Sequence, residues 1–135
     1  MLPDVNVWLA LTFENHTYHR PAKSWFEKLG RAEAAFCRMT MLGFFRLAQN
    51  AAAFPGQAVS ARTAWSFYEA FSRDDRVTFE PEPNGIDLLL AKYFVQVDKP
   101  SPQSVTDAYL AAFAKLSGHS LYTFDKALQK HPLLK

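Results

Sequence analysis

Four short apolar segments, each followed by a helical pattern, constrain this chain more than any other feature. They are Leu2–Val7, Ala34–Cys37, Val77–Phe79 and Ser120–Thr123. Strands this short and separated by helices argue for an α/β fold, a parallel sheet with helices on both faces. The helical stretches are legible from spacing. Asn6 is placed to cap a helix through Trp8-Leu9-Ala10-Leu11. From His19 to Leu29, Ala22, Trp25, Phe26 and Leu29 recur at helical spacing before Gly30. Thr40 is a suitable cap for a helix over Met41–Asn50, and Pro55-Gly56 reads as a turn. Ser60–Phe71 and Asn84–Val97 repeat the pattern, the latter with Ile86, Leu89, Leu90 and Phe94 facing inward. Ser101-Pro102 reads as cap and first residue of an Ala-rich helix reaching Lys115, and Lys126–Lys130 as a short last helix.

Composition narrows the class further. The 135 residues suit one domain over the whole chain, and 49% hydrophobic residues exclude a disordered tail. The lone Cys37 excludes a disulfide framework and a Cys-rich zinc site, and fits a reducing, cytoplasmic setting. No apolar run approaches the roughly 20 residues of a membrane span. Charge is uneven: residues 20–62 hold seven Lys/Arg against two acids, whereas residues 69–87 hold six acids against two Arg. One side of the molecule is therefore suited to a polyanion, unless these charges are simply solvated helix faces. Aromatics reach 15% and include Trp8, Trp25, Trp65 and 12 Phe, so that either the core is aromatic or some rings lie at an interface. The four histidines lack zinc-ligand spacing and read as surface residues.

Function in open parallel sheets gathers at the carboxyl ends of strands near a topological switch point. Asp4 lies near the end of the first strand, Asp125 follows the fourth, and Asp107 lies in the first turns of the helix before it. If strands one and four are neighbours, the three carboxylates converge. Such a cluster is costly unless a cation neutralises it, and all-oxygen sites suit Mg²⁺ or Mn²⁺. Local roles compete: Ser104-Val-Thr-Asp107 matches a capping box and Asp125 is placed to cap the last helix. Asp4 has the weakest such alternative, because a carboxylate in an apolar first strand gains nothing by packing.

Four pieces together carry a family resemblance: Asp4-Val-Asn6-Val-Trp-Leu-Ala, Thr40-Met-Leu-Gly-Phe-Phe-Arg46-Leu, Asp107-Ala-Tyr-Leu-Ala-Ala-Phe-Ala114 and Thr123-Phe-Asp125. They resemble the PIN-domain family, specifically the VapC-type toxins of bacterial toxin–antitoxin modules. The resemblance implies a three-layer sandwich on a mostly parallel sheet of four or five strands. It also implies a toxin that is a Mg²⁺-dependent endoribonuclease (Mn²⁺ being a substitute), a homodimer, a cognate VapB-like antitoxin, and tRNA, rRNA or mRNA as substrate. Carried over by position, Asp4, Asp107 and Asp125 resemble the metal-binding acids, Thr123 the hydroxyl residue beside the last acid, and Asn6 the small polar residue after the first. Arg46 is placed to hold a phosphate, and Thr40 and Thr123 to orient ligands or water. One departure stands out: residues 40–50 contain no Asp or Glu where the family usually has an acid. This departure motivates the alternative of a catalytically impaired PIN-like protein that binds RNA or antitoxin.

Two other classes fit less well. A haloacid-dehalogenase-like phosphatase needs Asp-x-Asp, and the third position here is Asn6. A receiver domain needs an Asp after strand three, where Glu80 and Glu82 stand instead.

Overall fold

The computed structural model describes residues 1–51 and 56–135. The chain runs β1 (Leu2–Pro3), α1 (Val5–Thr12), α2 (His19–Glu27), β2 (Ala34–Phe36), α3 (Arg38–Ala48), α4 (Ala61–Ser72), β3 (Val77–Phe79), α5 (Ile86–Phe94), α6 (Ser104–Ser117), β4 (Leu121–Tyr122) and α7 (Lys126–Gln129), and ends in a 3₁₀ turn (Pro132–Leu134). All four expected strands are present. β1 pairs parallel with β4, Leu2 opposite Leu121, and β2 pairs parallel with β3, Ala34 opposite Val77. Met1 joins the two pairs: its amino group donates to Glu33 O (2.7 Å) and its carbonyl accepts from Ala35 N–H (2.9 Å). The order is therefore β4-β1-β2-β3. Chain connections leave β1 toward β2 on one side and return to β4 on the other. This reversal puts the switch point between the carboxyl ends of β1 and β4.

The period-two geometry of a strand sorts the core into two halves. Ala34 and Phe36 face a cluster with Trp8, Leu9, Phe26, Met41, Phe44 and Ala64. Ala35 and Cys37 face the opposite cluster with Leu2, Ile86, Leu110, Phe113 and Leu128. A strand buried on both faces is what a helix–sheet–helix sandwich requires. The first half is aromatic: Trp8 stacks on Phe36 with centroids 3.8 Å apart, and Phe71 meets Trp8 edge-on at 5.1 Å. The second is built on α6, where Ala108, Ala111, Ala112 and Ala114 let the helix lie close to the sheet. Much of the high aromatic content is thus core, although Trp65 stays 48% exposed.

Several local expectations change in the folded chain. α1 is capped by Asp4 rather than Asn6, because β1 ends at Pro3 and the extended backbone at Asp4 turns its carboxylate onto Val5 N–H. α3 starts at Arg38, so Thr40 is its third residue. Its buried hydroxyl accepts from Cys37 N–H at 3.0 Å, which ties the helix start from within. α6 starts at Ser104, after a turn through Ser101-Pro102, and Ser104 Oγ donates to Ser101 O instead of opening a capping box. α5 is shorter than the pattern suggested, and Phe94 is 37% exposed rather than inward. Of the Pro55-Gly56 turn, Pro55 lies outside the described residues, while Gly56 has a φ of +75°. Gly43 has a packing reason: a Cβ there would lie 2.9 Å from Val5 Cγ2, so α3 crosses close to α1 only without a side chain. Among the described residues, no helix is long and apolar enough to cross a membrane.

Candidate active site

The parallel β1–β4 pair fixes the site. Asp4 N–H donates to Tyr122 O at 2.9 Å, which holds the end of β1 against β4. The Asp4 carboxylate then divides its work: Oδ1 accepts from Val5 N–H at 2.7 Å, and Oδ2 accepts from Thr123 Oγ1–H at 3.1 Å. The same Thr123 hydroxyl accepts from Asp125 N–H at 3.0 Å. One buried threonine therefore wires the two acids that follow the two strands. Its carbonyl is held in turn by Gln129 Nε2 at 2.8 Å. Asp125 is exposed and caps α7, Oδ1 accepting from Ala127 N–H (2.8 Å) and Leu128 N–H (3.3 Å). Asp107 is half-buried on the first turn of α6.

The electrostatics tie the three acids together. Burial pushes the Asp4 carboxyl above its ordinary value; the Thr123 and Val5 hydrogen bonds oppose this, and the charges of Asp107 and Asp125 add to it. Asp107 is likewise pushed up, by burial first and then by Asp125, against a downward pull from His131. Among the described residues, the ion pairs engage Glu69, Asp74 and Glu80, and none engages these three acids. Nor, among the described residues, does any group of three His, Cys, Asp or Glu form a ready-made cage for a metal. The arrangement is an open carboxylate site.

The remaining sequence candidates fall in different places. Asn6, exposed on α1, lines a groove of about 480 Å³ together with Asp125. Arg46, exposed on α3, lines a separate cavity of about 760 Å³ with Arg38, Glu80, Glu82 and Tyr109. Thr40 is fully buried, and its hydroxyl serves Cys37. The α3 stretch that lacks an acid turns Leu42 outward, 55% exposed.

The profile of the PIN domain matches residues 1–133. The chain belongs to the PIN-domain family. It is 35% identical to ribonuclease VapC41 of Mycobacterium tuberculosis, over 97% of this chain and 92% of that protein. It is 28% identical to ribonuclease VapC39 of the same organism, over 94% of this chain and 89% of that one. Its fold matches the crystal structure of M. tuberculosis VapC20, a sarcin–ricin loop cleaving toxin, with a TM-score of 0.69. That match has 17% identity and covers 94% of this chain and 91% of the other. The PIN-like α/β fold and the parallel strands agree with that membership.

Two features escaped sequence reasoning. The groove beside Asp125 also takes in His16, Tyr18 and Phe124, brought together from the α1–α2 loop and the end of β4. Only the overall aromatic content hinted at it. His131 is not a surface residue. It is 6% exposed, its Nδ1 accepts from Leu133 N–H, and it lies against Tyr93 with ring centroids 4.8 Å apart. A histidine just before a proline near a chain end carries no signal of such burial.

Proposed function

We propose that this protein, as one PIN domain over residues 1–135, is the toxin of a toxin–antitoxin pair and a divalent-metal-dependent endoribonuclease. The observation that carries the reading is the half-buried Asp4 carboxylate. It stands in the field of Asp107 and Asp125, with no ion-pair partner among the described residues. Like charges held this way are tolerable when a cation joins them. Asp4, Asp107 and Asp125 would hold Mg²⁺ or Mn²⁺. When bound, the metal supplies an activated water and neutralises charge on the phosphate. Thr123 Oγ1 donates to the Asp4 carboxylate and accepts from the Asp125 backbone N–H, so it would set the orientation of Asp4 as a metal ligand. Water attack at phosphorus, with cleavage of the P–O3′ bond, gives 5′-phosphate and 3′-hydroxyl ends. Arg46 offers a guanidinium for a flanking phosphate. The acidic cluster also suits an inserted arginine of a VapB-like antitoxin, and the exposed Leu42, Trp65, Leu88 and Val95 suit a homodimer or antitoxin contact in the cytoplasm.

The absence of an acid on α3 and the open spacing of the carboxylates favour a second reading, a PIN-like protein that binds RNA or antitoxin without cutting. Two measurements separate them. Incubation with a panel of tRNA and rRNA in Mn²⁺ should give cleavage that EDTA and Asp107→Asn both abolish. Mn²⁺ binding should disappear in Asp4→Asn. Cleavage that survives both treatments defeats the assignment, and metal-independent RNA binding without cleavage supports the second reading.

A further inference from the structure

The groove beside Asp125 carries chemistry that the acids do not use. The Tyr18 ring lies flat on that of Phe124, with centroids 4.5 Å apart and planes within 7°. Tyr122 meets Phe124 edge-on at 5.6 Å, and Trp25 stacks on Tyr122 at 4.1 Å. The four rings form one connected series from α2 across β4 to the groove. Tyr18 is 43% exposed, while Phe124 and Tyr122 are half-buried. The backbone that carries the exposed member is held in place. Tyr18 N–H donates to His16 Nδ1 at 3.0 Å, and the His19 ring is bonded to Ala10 O at 2.7 Å where α2 begins. With its backbone anchored and one face resting on Phe124, the ring loses little entropy when a flat ligand lies on it. The exposed amide side chain of Asn6 lines the same groove.

We infer that this groove is a nucleobase subsite, in which an unpaired base next to the scissile phosphate stacks on Tyr18 and presents its polar edge to Asn6. The inference rests on the ribonuclease reading and deepens it. Three observations support a base. Asp125 belongs both to the groove and to the acidic cluster, so an occupant of the groove is a neighbour of any phosphate held there. A preset aromatic face with an amide at its rim matches a flat heterocycle with a hydrogen-bonding edge. A base in a duplex cannot reach such a face, so the subsite selects single-stranded loops or ends.

The test uses a fluorescein-labelled single-stranded RNA of mixed sequence, with anisotropy read in EDTA so that no turnover intervenes. Tyr18→Ala and Tyr18→Leu should each weaken binding by ~10-fold, within the range for losing one base–aromatic stack. Tyr18→Phe should bind like wild type. In Mn²⁺ the Ala and Leu variants should raise KM while kcat changes little, and both should stay folded with only the small drop in thermal midpoint that losing the Tyr18–Phe124 stack implies. A Leu variant that binds like wild type, or an Ala variant that loses kcat at unchanged affinity, overturns the subsite. Cleavage by wild type together with Tyr18-independent binding sinks this inference alone and leaves the ring to a protein partner. Tyr18-dependent binding without any cleavage sinks the nuclease reading and keeps the base subsite. Neither binding nor cleavage overturns both.

Discussion

Asp4 and Asp125 each follow a strand of one parallel pair, and each caps the helix that comes next, yet Asp4 is half-buried and Asp125 is exposed. The local grammar of strand, acid and helix is the same in both. The surroundings differ because β1 is an inner strand, flanked by β4 and joined through Met1 to β2, whereas β4 is the edge strand of the four. A carboxylate at the end of an inner strand loses water to its neighbours, and its charged form is penalised. The same residue type at an edge keeps its water and works mainly as a cap. Burial, more than sequence pattern, therefore singles out Asp4 as the acid with most to gain from a cation.

The sharpest way to break this comparison is to exchange each acid for its amide. Asn remains a good helix cap, so the fold is kept while the charge is lost. Asp4→Asn should lower Mn²⁺-dependent RNA cleavage by ~100-fold or more, judged against the several kcal/mol a bound metal supplies. Asp125→Asn should cost less than Asp4→Asn in the same assay. Equal losses would mean that burial does not rank the two acids.

Thr123→Val keeps the shape of the side chain and removes the hydroxyl that links the acids. By analogy with other residues that orient metal ligands, it should weaken Mn²⁺ affinity by ~10–100-fold, measured by calorimetry. An unchanged affinity would mean that the Thr123 bridge is only structural.

Asp125→Ala removes the cap that Asp125→Asn retains. It should cost about 1 kcal/mol in urea unfolding relative to the Asn variant. A loss of the same size in both variants would place the effect in charge rather than in capping.

The smallest effect concerns pH. The Asp4 carboxyl titrates above its unfolded value, so its contribution to stability is complete below the ordinary carboxylate range and is lost as pH rises through the folded value. In EDTA, the midpoint difference between Asp4→Asn and wild type should move in the variant's favour by ~1–3 °C between acid and neutral pH. Adding Mn²⁺ should reverse that trend for wild type only. A difference independent of pH would show that Asp4 pays no burial cost in the metal-free protein.

The alternation of short apolar segments with helical patterns determined the element order and the parallel sheet, because these follow from residue-by-residue periodicity. The placement of Asp4, Asp107 and Asp125 at strand and helix ends, with Thr123 beside the last, likewise marks these acids as candidates from sequence alone. Boundaries were less legible. Asp4 took the cap that Asn6 was expected to provide, and Thr40 moved inside α3, because a cap is decided by which backbone N–H groups a strand leaves unpaired. Tertiary structure alone decided three further points: that β4 returns beside β1, that Thr123 bridges two acids 121 residues apart in the chain, and that Tyr18 and Phe124 share a groove. Each depends on long-range packing and on removal of water, and neither is written in the local pattern of residues.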